Sequence, residues 1–300
     1  MEKIIKKEKL TYKKLEEYLQ RLKAEYPFLK VATCGKTVMG KELFALCFGS
    51  GKRKVLYVGG THATEWITSL FLLDFCESLL QGERQGTCLS GYSVKEIFDE
   101  VTFIAIPMLN PDGVDIALSG INGCGKMKEE IYDICKFNFS QWNANANGVD
   151  LNHNFNADWY ALRDFEEQNG ITSPSPRRYG GAYPESEPES KAIVEFLRNV
   201  KVDRLYSFHS QGEEIFYDYK NIMSEKGLIM AKALQGVSGY TLVNNEGHYS
   251  SGGLKDWFIG EFRKPGFTIE IGKGKNPLPL EEYDYIYNSA LPLAVLGLIL

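Results

Sequence analysis

A chain of 300 residues, 44% hydrophobic and 24% charged, has enough apolar material for one large α/β domain or two small ones and argues against disorder. Its formal net charge of −5 argues against a general electrostatic attraction to nucleic acid or to an anionic membrane, so a small or peptidic partner is expected.

Residues 1–9 are rich in lysine, but the stretch behind them is charged and amphipathic, with no apolar core or small-residue cleavage site. No secretory signal is read, and a cytoplasmic location is expected. Residues 11–25 carry Tyr12, Leu15, Leu19 and Leu22 at helical spacing, and Pro27 follows, which predicts an N-terminal amphipathic helix. Leu43 to Phe48 and Val55 to Val58 read as neighbouring strands joined by a turn around Gly49 to Lys52, and Ile67 to Leu80 as a long buried helix. Val101 to Ile106 is a continuous apolar run, rich in β-branched residues, of the kind buried on both sheet faces. Beyond the turn Asn110-Pro-Asp-Gly113 the chain stays polar, aromatic and rich in asparagine to about residue 184, too long for a simple connection, so a functional loop region is expected there.

Ser186-Glu-Pro-Glu189 resembles a capping box opening a helix to about Asn199. Arg204 to His209 reads as a strand, 221–236 as a helix, Phe267 to Ile271 as a last buried strand, and 281–299 as the C-terminal helix. The alternation predicts an α/β fold: a single domain over 1–300, a mixed β-sheet flanked by helices on both faces. The apolar tail from Ala290 is too short to span a bilayer and contains Pro292, so no membrane partner is expected. The six cysteines show no CxxC spacing and read as free thiols of a reducing compartment.

Each of the four histidines falls at a strand end or in a loop. Gly59-Gly-Thr-His-Ala-Thr-Glu-Trp66 places His62 and Glu65 three positions apart after a strand, so both can point at one centre. A hydrolytic zinc site needs such a pair, a third ligand and an open position; a capped helix start explains the same spacing without a metal. His209 ends an apolar strand, and Glu270 interrupts another, on the face it shares with Thr268. Burying that carboxylate without a partner is costly.

The chain resembles the zinc carboxypeptidases of the carboxypeptidase A type, and within them the bacterial γ-D-glutamyl-L-diamino-acid endopeptidases. The motifs that carry the resemblance occur in family order: His62-x-x-Glu65, Asn110-Pro-Asp-Gly113, Gly148-Val-Asp-Leu-Asn-His-Asn-Phe155, Ser207-Phe-His-Ser210, Gly252-Gly-Leu-Lys-Asp-Trp257 and Thr268-Ile-Glu270. The resemblance implies one Zn²⁺ held by His62, Glu65 and His209, with Glu270 as the catalytic base that later returns the proton. It also implies that Asp150 holds a ligand histidine by its other ring nitrogen.

The sequence departs from the family in its substrate contacts. The pair that binds a terminal carboxylate reads Asn152-His153, and neutral histidine is a weaker anion clamp than arginine. Asn143 stands at the oxyanion-stabilising arginine position and Asn147 where many relatives are basic, so that donor is unassigned, with Arg177 and Arg178 as candidates. The tyrosine that closes over substrate falls at His248 or Tyr249. Lys255 matches the base of the specificity pocket, where an ammonium predicts an acidic group on the leaving side, as in diaminopimelate. The expected activity is hydrolysis of the γ-D-glutamyl to diaminopimelate bond of murein peptides. The alternatives are a carboxypeptidase removing acidic C-terminal residues and a non-catalytic, zinc-containing peptide-binding module.

Overall fold

The computed structural model describes residues 3–136, 138–243 and 251–300. In chain order the elements are α1 (Tyr12–Glu25), β1 (Lys30–Lys36), β2 (Glu42–Phe48), β3 (Arg53–Val58), α2 (Trp66–Gln85), the hairpin strands β4 (Cys88–Leu89) and β5 (Tyr92–Ser93), and α3 (Val94–Glu100). Then come β6 (Val101–Ile106), α4 (Pro111–Ser119), α5 (Lys128–Cys135), α6 (Trp159–Gln168), α7 (Pro188–Val200), β7 (Arg204–His209) and β8 (Glu214–Phe216). Last are α8 (Ser224–Ser238), β9 (Thr241–Val243), α9 (Leu254–Phe262), β10 (Gly266–Glu270) and α10 (Tyr283–Ile299).

Eight strands form one mixed sheet in the order β1-β2-β6-β3-β7-β10-β8-β9. Its centre, β6, β3, β7 and β10, is parallel; β2 joins β6 and β8 joins β10 antiparallel. Side chains alternate across a strand, and the core divides accordingly. Val55, Tyr57, Phe103, Ala105, Tyr206 and Phe208 face the layer containing α1, α2 and α10. Leu56, Val58, Ile104, Ile106 and Leu205 face the layer of α7 and α9, through Ile193, Leu197, Trp257 and Phe258. The helix-flanked mixed sheet is therefore the observed fold.

Local chemistry sets the helix limits. Thr11 caps α1 by accepting from the Lys14 amide, and Gly86, at φ 66°, ends α2 in the left-handed conformation that glycine adopts without strain. The apolar C-terminal segment packs into the core: Ala290, Leu293, Val295 and Leu298 are fully buried. Among the described residues, no helix is long and apolar enough to cross a membrane.

Three expectations are corrected, and one strand, β1, is added. β2 and β3 are not neighbours, because β6 pairs with both and separates them. β1, whose residues are mostly exposed, has no apolar alternation to betray it. The stretch after Asn110 is not all loop: α4, α5 and α6 lie in it, and the Asn110 side chain accepts from the Gly113 amide and starts α4. Finally, Ser186 and Glu189 form no capping box. Glu187 is the cap residue without a side-chain cap bond, while Ser186 donates to the Glu187 carboxylate.

Candidate metal centre

Three adjacent parallel strands deliver the site. β3 runs out four residues before His62, β7 ends at His209, and β10 ends at Glu270, which is in register with His209. The C-terminal edge of a parallel sheet is where α/β proteins collect ligand-binding groups.

His62 and Glu65 bracket a single helical turn, so the Glu65 carboxylate folds back to place Oε1 2.9 Å from His62 Nδ1. Its Oε2 lies 3.1 Å from His209 Nδ1, and the two Nδ1 atoms are 3.2 Å apart. The Ser210 amide donates to Glu65 Oε2 at 3.2 Å, and Asn276 Nδ2 to Oε1 at 3.4 Å. His62, Glu65 and His209 are the one group of metal-ligating side chains found among the described residues that could hold an ion. Two imidazole nitrogens and a carboxylate form the three-donor set that zinc takes in hydrolytic sites.

The outer ring nitrogens fit the same reading. His62 Nε2 donates to Asp150 Oδ1 at 3.0 Å, and His209 Nε2 lies 3.1 Å from Ser207 Oγ, which leaves both Nδ1 atoms facing inward. Asp150 Oδ1 also accepts from the Asn152 amide and Oδ2 from the Arg178 amide. Burial alone would raise Asp150, but His62 and His153 hold its carboxyl well below the usual range. Burial would likewise lower His62, yet Glu65 and Asp150 hold it well above an ordinary imidazole. For Glu65, burial opposes ionisation, but the two histidines keep it down at about 2. The half-buried Glu270 is pushed well above the usual carboxylate range by burial, then by Glu65, with His62 pulling the other way.

Beside this centre, His153 Nδ1 lies 2.9 Å from both Glu166 Oε1 and the Arg178 carbonyl. Both are acceptors, so Nδ1 carries a proton and Nε2 is the atom left for another partner. Burial would lower its pKa, but Asp150 and Glu166 raise it. Asn152 Oδ1 accepts from the Leu254 amide and so ties the loop to the start of α9. Lys255 is buried with its ammonium on the Asp256 carboxylate and the Asp218 carbonyl, the latter at 2.6 Å. The carboxylate partner expected from a ligand is thus already supplied by the next residue. Arg177 bonds Gln141 Oε1 at 3.0 Å, and Arg178 is exposed. Asn147 is tied to Glu187 at 2.8 Å, and Asn143 to the Thr64 hydroxyl. His248 and Tyr249 lie outside the described residues.

Sequence reasoning missed Ser207, Glu166 and Asn276. Ser207 was within reach, since residues two apart on a strand share a face. Glu166 sits among other acids in α6, and nothing local distinguishes it.

Residues 15–290 match the zinc carboxypeptidase family. The chain is also 34% identical, over 96% of its length, to gamma-D-glutamyl-L-diamino acid endopeptidase 1 of Lysinibacillus sphaericus, of which it covers 72%.

The chain belongs to the zinc carboxypeptidase family.

The chain is 33% identical to the uncharacterised protein YqgT of Bacillus subtilis, over 92% of its length and 73% of that protein. Its fold is that of thrombin-activatable fibrinolysis inhibitor, with a TM-score of 0.78 at 21% identity over 98% of this chain and 74% of the other. Members of the family are zinc-dependent metallopeptidases, and the inward-facing His-Glu-His group of this chain fits that metal.

Proposed function

We propose that the chain is a monozinc peptidase, one catalytic domain over residues 1–300, that hydrolyses the γ-D-glutamyl to diaminopimelate bond of murein peptides. The observation that carries the chemistry is the convergence of His62, Glu65 and His209 at one sheet edge, with Glu270 in register beside His209. The name of the Lysinibacillus relative supports the bond.

Zinc held by His62, Glu65 and His209 would supply a Lewis acid that acidifies water and polarises the scissile carbonyl. Glu270 takes the water proton on its carboxylate and returns it to the leaving nitrogen. Asp150 keeps the Nε2 proton of His62 in place and so keeps Nδ1 directed inward. Asn152 and His153 contact the leaving-side residue. Lys255, with one donor left after Asp256 and Asp218, offers that residue a hydrogen bond more than a free charge. The same reading takes the six unpaired cysteines as support for a cytoplasmic role on released peptides.

Chromatography of L-alanyl-γ-D-glutamyl-diaminopimelate before and after incubation with zinc-loaded protein tests the substrate. Release of diaminopimelate is expected. An intact substrate alongside cleavage of ordinary α-peptides would remove the murein assignment.

A further inference from the structure

The loop that carries Arg177 and Arg178 is fastened to the site at several points. The Pro176 carbonyl accepts from the Asn143 and Ala144 amides, and the Tyr179 carbonyl accepts from the Asp150 amide at 2.8 Å. Gly180 donates to Glu166 Oε2 at 3.0 Å, and Tyr179 is buried beneath the Arg163 guanidinium, 5.0 Å from its ring. Arg178 itself is stitched on both sides. Its amide donates to Asp150 Oδ2 at 3.0 Å and its carbonyl accepts from His153 Nδ1 at 2.9 Å. The residue is thereby held between the carboxylate that braces His62 and the histidine beside the leaving-side contacts.

Two further observations separate Arg178 from its neighbour. Its φ of 68° lies in the left-handed region, where the backbone bonds to Asp150 and His153 hold it. And while Arg177 is bonded to Gln141, the exposed Arg178 guanidinium has neither an ion-pair nor a hydrogen-bond partner among the described residues. Next to it, His153 has Nδ1 fully engaged and only Nε2 to offer. That nitrogen carries a proton only in the imidazolium form, and even then one N–H cannot grip both oxygens of a carboxylate, whereas a guanidinium can.

We infer that Arg178 is the specificity residue that recognises a carboxylate on the leaving-side residue of the substrate, working beside His153 Nε2. This rests on the peptidase reading above. The chain then needs no arginine at position 153, because the guanidinium comes from the adjoining loop and is brought in by the backbone bonds to Asp150 and His153. Those bonds involve main-chain atoms, so replacing the side chain leaves the loop anchors in place.

The test compares zinc-loaded wild type, R178A, R178K and R177A on two substrates, L-alanyl-γ-D-glutamyl-diaminopimelate and the same peptide with its leaving-side carboxylates amidated. R178A should lose roughly 10- to 100-fold in kcat/KM on the free acid, mainly through KM. It should match wild type on the amide, R178K should recover part of the loss, and R177A should stay near wild type. If R178A does not fold, R178Q, which is polar and uncharged, takes its place. Equal losses on both substrates, or no loss on either, would overturn the assignment. If wild type cuts neither peptide, the peptidase reading fails, and calorimetry with diaminopimelate decides Arg178 separately. Weaker binding to R178A than to wild type supports the assignment, and equal or undetectable binding to both overturns it.

Discussion

The Nδ1 atoms of His62 and His209 face each other at 3.2 Å, with the Glu65 carboxylate spanning both. An N–H facing a lone pair there makes a single hydrogen bond, whereas a bound cation uses the lone pairs of both nitrogens and the carboxylate as well. Metal removal should therefore destabilise the protein as well as silence it. Ligand linkage gives about 2.7 kcal/mol when free zinc stands 100-fold above its dissociation constant. Thermal unfolding with and without chelator measures this; His209→Ala should show no zinc response, and a response equal to wild type would contradict the ligand set.

Asp150→Asn replaces one of two oxygens that accept from His62, Asn152 and Arg178. Loss of such an outer partner typically costs about 10- to 100-fold in metal affinity. Competition with a zinc chelator should register that drop while zinc stoichiometry at saturation stays at one per chain.

Lys255 and Asp256 form a buried ion pair, and burial already raises the Asp256 carboxyl against the pull of Lys255. Lys255→Met should cost about 3–5 kcal/mol, because it leaves a buried carboxylate unpaired. Adding Asp256→Asn should restore most of the loss. Denaturant unfolding of the single and double variants gives the comparison, and additive losses would mean the pair is not coupled.

Glu189 is fully buried, and burial pushes its carboxyl up to about 8 from 4.5. Below pH 4.5 it is protonated folded and unfolded alike. Between 4.5 and 8 the unfolded chain is ionised while the folded chain keeps the proton, so stability falls as pH rises, by a few kcal/mol at most, and levels off above 8. Glu189→Gln should flatten the dependence across that window. An unchanged slope would place its origin elsewhere.

The sheet centre was legible because it is written locally, whereas the grouping of His62, Glu65 and His209 came from the family resemblance, since their spacing alone also suits a capped helix start. The runs Val55–Val58, Val101–Ile106 and Phe267–Ile271 are apolar and β-branched, and His62, His209 and Glu270 stand at or just beyond strand ends. Strand order was not legible, since the insertion of β6 between β2 and β3 is a long-range pairing that no turn signal records. α4 was hidden because Asn110-Pro-Asp-Gly113 serves a turn and a helix start equally well; the Asn110 cap decides it. The surroundings of Lys255 and His153 depend on Asp218 and Glu166, which reach them from other elements.

The central claim is that zinc on His62, Glu65 and His209 works with Glu270 as the proton carrier. Glu270→Gln, assayed for zinc content and for hydrolysis of L-alanyl-γ-D-glutamyl-diaminopimelate, tests it most directly. The account predicts one zinc per chain and a rate lowered roughly 100- to 10,000-fold. A variant that keeps its zinc and hydrolyses the peptide at the wild-type rate would contradict it.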